Sequence, residues 1–174
     1  MKLKKYSYDI VKSTNDVSLR QIKLQKKQGI IISNKQTMGR GRYGKKWISI
    51  KGNLFMSIFY KINKNSNLKN ITIKNCRIIK KAITKFVNTK IAIKEPNDLL
   101  INNQKFCGIL QETCFNANSK FLIIGIGINI VGCPKINNYQ TTYLNKYTKK
   151  RVDKLKIFRS IKQMFEKNLK NKIN

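Results

Sequence analysis

Residues 36–57 read QTMGRGRYGKKWISIKGNLFMS, and the identity of this stretch decides the fold. Gly39-Arg40-Gly41-Arg42-Tyr43-Gly44 matches G-x-G-x-x-G. That pattern serves dinucleotide binding only where it opens a helix and is followed, about 20 residues on, by an acid for the ribose. Here it runs into KKWISIKGNLFMSIFY, which has strand character, and no Asp or Glu occurs between Asp16 and Glu95. The dinucleotide reading fails. What remains is a glycine-rich loop carrying two arginines, with Lys45 and Lys46 behind them. Glycines let backbone amides come close to an anion, and guanidinium groups fork onto phosphate oxygens. Such a loop suits a phosphate-bearing ligand. An ordinary solvated basic loop has the same letters; so does an RNA-binding RG segment, although those repeat and this one does not.

Outward from the loop, residues 6–10 (YSYDI) read as a short strand. Ser13 or Thr14 then caps a helix running to about Gln28, with Gly29 as its stop. Residues 29–33 (GIIIS) look like a buried strand, residues 34–52 like a long polar loop, and residues 53–60 return to strand. From Asn67 to Asn88 the apolar positions Leu68, Ile71, Cys76, Ile79, Ala82, Ile83, Phe86 and Val87 fall on one helical face. Extended stretches follow at 91–94, 98–101 and 106–114, with Asn102-Asn103 turning between the last two. Residues 121–130 form another buried strand, and after a loop at 132–149 a last amphipathic helix carries Leu155, Phe158, Ile161, Phe165 and Leu169. No repeat or linker divides the chain. The expectation is one α+β (mixed α/β) domain, a mixed sheet flanked by helices and carrying a long loop.

The 174 residues suffice for one domain with a real core, and 41% of them are hydrophobic. The formal net charge of +31 comes from 38 Lys and Arg, six of them Arg, against seven acids. Such a field attracts nucleic acid, anionic membranes or acidic proteins. The lysines are scattered rather than gathered in a stripe, and Lys, Ile and Asn share A/T-rich codons, so compositional drift accounts for the bias as well as selection does. The chain has no His, which excludes His-based acid–base catalysis and argues against a typical zinc site. Cys76, Cys107, Cys114 and Cys133 form no C-x-x-C pair and are expected as buried thiols in a reducing compartment. The N-terminus lacks the apolar core of a secretory signal, and no run approaches the roughly 20 apolar residues of a membrane span. The expected location is cytoplasmic, without membrane partners.

Residues 36–57 resemble the signature of biotin–protein ligases, roughly Q-x-x-G-R-G-R-x-G-R-x-W-x-S-P-x-G-N-L-x-x-S. Three further segments resemble that family in the same order: Ser13-Thr14-Asn15; Lys94-Glu95-Pro96-Asn97-Asp98-Leu99 with Lys105-Phe106-Cys107-Gly108-Ile109-Leu110; and Gly125-Ile126-Gly127-Ile128-Asn129. Together they reach from residue 13 to residue 129. The resemblance implies a class II synthetase-like biotin/lipoate ligase catalytic domain over residues 1–174, a biotin–[acetyl-CoA-carboxylase] ligase. It implies no N-terminal DNA-binding domain and no C-terminal β-barrel, and hence no specific DNA binding.

By the same resemblance, Ser13, Thr14, Asn15 and Gln36 bind the biotin ring, and Arg40, Gly41 and Arg42 belong to the loop that folds over biotin and its adenylate. Gly108 lines the biotin site. Lys105 meets the biotin carboxylate and the phosphate, so Arg42 and Lys105 carry the catalytic charge. Trp47, Asn97 and Asn129 lie on the nucleotide side, and Asp98 is linked to Mg²⁺. Each has a plainer reading: helix capping for Ser13 and Thr14, core packing for Trp47, turn capping for Asp98 and a strand-end turn for Asn129.

The implied substrates are biotin and ATP, and the implied partner is a biotin carboxyl carrier domain, with a homodimer left open. Carboxylate and ATP are both anions, so cations must screen them, and no covalent enzyme intermediate is needed. Three positions depart from the family pattern: Glu95 where Trp is usual, Lys45 for Arg, and Ile50 for Pro. Glu95 is the one expected to alter nucleotide affinity. A lipoate-type acyl ligase or transferase is the nearest alternative, and a basic nucleic-acid-binding protein without catalysis is the alternative from another class.

Overall fold

The computed structural model describes residues 2–170. Seven strands, β1 (Lys5–Val11), β2 (Gln28–Gln36), β3 (Leu54–Ile62), β4 (Ala92–Lys94), β5 (Asp98–Ile101), β6 (Gln104–Asn116) and β7 (Ser119–Ile128), form one sheet in the order β1-β2-β3-β7-β6-β5-β4. Only β1 and β2 run parallel; every other neighbouring pair is antiparallel. The three α-helices are α1 (Thr14–Lys23), α2 (Leu68–Thr84) and α3 (Lys154–Lys170). The expected mixed sheet flanked by helices is what forms.

Side chains alternate across a strand, and here the alternation separates two cores. Ile30, Ile32, Met56, Ile58, Leu122, Ile124 and Ile126 point to the face covered by α2 and α3. Ile31, Phe59, Phe121 and Ile123 point the other way and meet Val17 and Ile22 of α1. The α1 face is full only at one end. Toward the other end Ser57 pairs with Gly125, and Gly127 pairs with Gly108, so side chains shrink where the apolar layer would have continued. That hollow is where a ligand can sit.

Several boundaries differ from those expected. The first helix ends at Lys23, not near Gln28: Gln25 takes a left-handed φ of 60° and its amide bonds back to the Ile22 carbonyl. Gly29 lies inside β2 instead of stopping the helix, and a Cβ there would fall 2.7 Å from the Phe59 ring. β2 also continues to Gln36, which shortens the loop to residues 37–53 and anchors its signature glutamine on the sheet. Asn102 and Asn103 do make the β5–β6 turn, both with positive φ (48° and 60°), a conformation asparagine tolerates better than most residues. Asn67 caps α2, its side-chain oxygen accepting from the Asn70 amide.

Candidate active site

A cavity of about 360 Å³ opens in this hollow between the N-terminus of α1, the residue 37–53 loop and the β4–β5 hairpin. Ser13, Thr14, Asn15, Gln36, Arg40, Gly41, Arg42, Trp47, Asn97, Asp98, Lys105 and Gly108 all line it. Of the expected site residues only Asn129 is elsewhere. Its amide donates to the Thr142 carbonyl (3.1 Å) and its oxygen accepts from Asn53 (3.3 Å), so it braces the strand end behind Trp47 and faces a small adjoining cavity. Glu95 is exposed at the hairpin turn and is not part of the lining.

One end of the cavity is built from small neutral polar groups. Ser13 is the N-cap of α1, its hydroxyl accepting from the Asn15 amide (3.2 Å). Thr14 does not cap. Its backbone N–H and hydroxyl both bond to Gln36 Oε1, at 2.8 and 3.0 Å. Ser57 sits on β3 beneath them, fully buried, with its hydroxyl 2.7 Å from Thr14 Oγ1 and 2.5 Å from Asn15 Oδ1. Gly125 makes room for this group, because a Cβ there would fall 2.5 Å from Asn15 Oδ1.

The other end is cationic. Arg42 reaches from the loop to Asn97 Oδ1 (3.3 Å) and lies over the Tyr43 ring, and Asn97 is itself fixed by donating to the Ile109 carbonyl (2.9 Å). Lys105 Nζ pairs with Asp98 Oδ1 at 2.9 Å and stands near the rings of Trp47 and Tyr139. Lys105 is the partner of this otherwise unbonded buried oxygen. Trp47 Nε1 is buried without a partner among the described residues. The indole rests on Gly108 and Gly127, where any Cβ would collide with it.

The loop borders the cavity. Gly41 N–H donates to the Lys45 carbonyl (2.6 Å) and Trp47 N–H to the Gly39 carbonyl (2.9 Å), which folds residues 39–47 into a small hairpin. Arg40 pins that hairpin to α1 through Asp16 (2.8 Å), with Glu112 of β6 at 3.5 Å.

Sequence reasoning gave no role to Tyr139, which lines the cavity, or to Asp16, Ser57 and Glu112, which hold lining residues from behind. Ser57 had a signal: it is the lone small polar residue in the apolar run LFMSIFY. Glu112, one of seven acids in the chain, stands out less among the polar residues of its strand.

All four cysteines are free thiols, as expected, but only Cys76 and Cys107 are buried. Burial pushes Cys76 up to about 11 and Cys107 well above the usual thiol range. Among the described residues no helix is long and apolar enough to cross a membrane. Nor do three or more His, Cys, Asp or Glu side chains gather into a metal site among those residues.

Comparison with known proteins agrees with this architecture. The Escherichia coli bifunctional ligase/repressor BirA is 32% identical over 124 residues, which cover 70% of this chain and 39% of that protein. The chain thus spans well under two thirds of that relative's length. A biotin protein ligase from Aquifex aeolicus in complex with biotin and ATP superposes with a TM-score of 0.77 at 26% identity, covering 96% of this chain and 70% of that one. The Leishmania major biotin protein ligase in complex with biotinyl-5-AMP shares the fold with a TM-score of 0.80 at 24% identity, covering 92% and 72%. Residues 7–129, which contain the hollow sheet face, the arginine loop and the Asn97–Lys105 hairpin, match the family as a unit, and the chain belongs to the biotin/lipoate A/B protein ligase family.

Proposed function

We propose that this domain joins biotin to AMP at the expense of ATP and then passes the biotinyl group to a lysine of a carrier protein. The observation that carries the reading is one cavity with two chemically distinct ends. Thr14, Asn15 and Gln36 present oxygens suited to a ureido ring, with the buried Ser57 bonded beneath them, and Arg42 and Lys105 present cations suited to a carboxylate and phosphate. The Aquifex relative named above binds biotin and ATP, a substrate pair with the same two demands.

In the first step a biotin carboxylate oxygen attacks the ATP α-phosphorus and pyrophosphate leaves. The reactants repel each other, and Lys105 and Arg42 offset that repulsion with charge already in place. In the second step the carrier's ε-amine attacks the acyl carbon of the mixed anhydride and AMP leaves. The anhydride is already activated, so the enzyme contributes orientation and exclusion of water. The hairpin of residues 39–47 serves both purposes.

Magnesium fits the residues present in a limited way: it keeps most of its shell as water and phosphate oxygens and needs only one or two carboxylates. Asp98, the one carboxylate in the cavity lining among the described residues, is the residue that would hold it, in exchange for its pairing with Lys105, and the metal's chemistry there would be neutralisation of phosphate charge.

The carrier is then a biotin-accepting domain of a carboxylase, met by a strongly cationic surface. Pyrophosphate exchange into ATP, run with biotin and with lipoate, tests the reading. Exchange dependent on biotin supports it. Exchange with lipoate alone assigns the chain to the other branch of its family, and exchange with neither removes the ligase function.

A further inference from the structure

The neutral end of the cavity has more oxygens in contact than protons to share among them. Three oxygen–oxygen contacts run in series: Thr14 Oγ1 to Gln36 Oε1 (3.0 Å), Ser57 Oγ to Thr14 Oγ1 (2.7 Å) and Ser57 Oγ to Asn15 Oδ1 (2.5 Å). Only the Thr14 and Ser57 hydroxyls can supply hydrogens to them, so one contact always lacks a proton. Turning either amide over would relieve the shortage by bringing an NH₂ group inward. Both amides are held against that. The Thr14 backbone N–H donates to Gln36 Oε1 at 2.8 Å and fixes that oxygen in place. Asn15 Nδ2 donates to Glu112 Oε2 at 2.6 Å. An ionised carboxylate only accepts, so an inverted Asn15 would set oxygen against oxygen.

We infer that Glu112 is a positioning residue that sets the polarity of the binding pocket: by holding the Asn15 amide with its oxygen inward, it keeps this end acceptor-rich and so selects an acid whose ring carries N–H donors. This rests on the ligase reading above and names what separates its two candidate substrates. The ureido ring of biotin carries N–H on both nitrogens and can donate to the acceptor lone pairs that this end leaves unmet. The dithiolane ring of lipoate carries none. A pocket whose acceptors go unmet loses affinity, because buried polar groups are costly to leave unpaired. Glu112 is itself one-third exposed and lies 3.5 Å from Arg40, so the residue that orients Asn15 also touches the loop.

Calorimetric titration of the full chain with biotin and with lipoate tests this, using wild type, Glu112→Gln, Asn15→Asp and the double variant. Glu112→Gln tolerates either orientation of Asn15. It is expected to weaken biotin by about tenfold, the scale of one lost hydrogen bond, and to leave lipoate unchanged, so that the preference narrows. Asn15→Asp alone sets two carboxylates face to face and weakens biotin further. Together the substitutions restore a donor on β6 and acceptors on α1, and biotin affinity is expected to recover most of the loss. A role limited to holding the strand or the loop would not give that recovery.

Unchanged biotin affinity in Glu112→Gln, or a double variant no better than the worse single one, overturns the inference and leaves the ligase reading standing. A wild-type chain that binds no biotin overturns both. Should Glu112→Gln not fold, Asn15→Asp against the double variant decides alone: recovery supports the role of Glu112 and its absence overturns it.

Discussion

The indole of Trp47 fills the space where a side chain on Gly127 would stand: a Cβ there would fall 2.6 Å from Cζ2, and one on the paired Gly108 would fall 2.6 Å from Cζ3. The loop is thus seated on bare backbone of two adjacent strands. Gly127→Ala should unseat it, at an overpacking cost of about 1–3 kcal/mol. Trp47 is the only tryptophan, so its fluorescence reports the event directly. The expected result is an emission shift to the red with adenylation reduced about tenfold or more. An unshifted spectrum with full activity would show that the indole contact does not hold the loop.

Arg42 reaches across the cavity mouth to Asn97. Arg42→Gly should remove both that tie and a cation beside the phosphate, so that the adenylate leaves before the carrier arrives. Biotinylation of bystander proteins should then rise. A dissociation rate for biotinyl-AMP equal to that of wild type would contradict the role given to Arg42.

Lys105 and Asp98 form the one ion pair within the cavity among the described residues in which both partners are largely buried. Lys105→Ala should nearly abolish adenylate formation, and it also leaves the Asp98 carboxylate without its counter-charge, at a cost of several kcal/mol or less as water reaches the open pocket. Pyrophosphate exchange measured beside a thermal melt separates the two effects. Wild-type exchange in the variant would sink the assignment.

Away from the site, Glu166 ties the N-terminal segment to α3. Burial works against its charge, but the Leu3 amide (2.7 Å) and Lys162 (3.1 Å) outweigh that and hold the carboxyl below its ordinary range. The folded value is lower than the unfolded one. The stabilisation is therefore complete above about pH 4.3, the ordinary glutamate value, and is lost as pH falls through the folded value. Glu166→Gln should flatten stability against pH in that acid window. Parallel melting curves for the two proteins from neutral pH down to the acid limb check it, and curves that differ only by a constant offset would argue against it.

Most of the architecture was legible because strand and helix periodicities are strong here: the runs at 54–62 and 119–128 alternate cleanly between two cores. The end of α1 was not, since Gly29 looked like a stop and the actual break is made by Gln25 adopting a left-handed backbone. The cationic end of the cavity was carried by the arginine loop and the Asn97–Lys105 spacing. Asn129, expected on the nucleotide side, lines the small adjoining cavity and is bonded to Thr142 and Asn53. Ser57 closes the quoted signature but was given no role, and Glu112 lies in no quoted motif; the importance of both comes from which strands the sheet places beside α1.

The central claim is that one cavity performs both half-reactions. Incubating the chain with biotin, Mg·ATP and a purified biotin-accepting domain, then weighing that domain by mass spectrometry, tests it most directly. The account predicts a mass increase of one biotinyl group, confined to a single lysine and absent when ATP or biotin is withheld. An acceptor of unchanged mass, from a chain that is folded and binds both substrates, would contradict it.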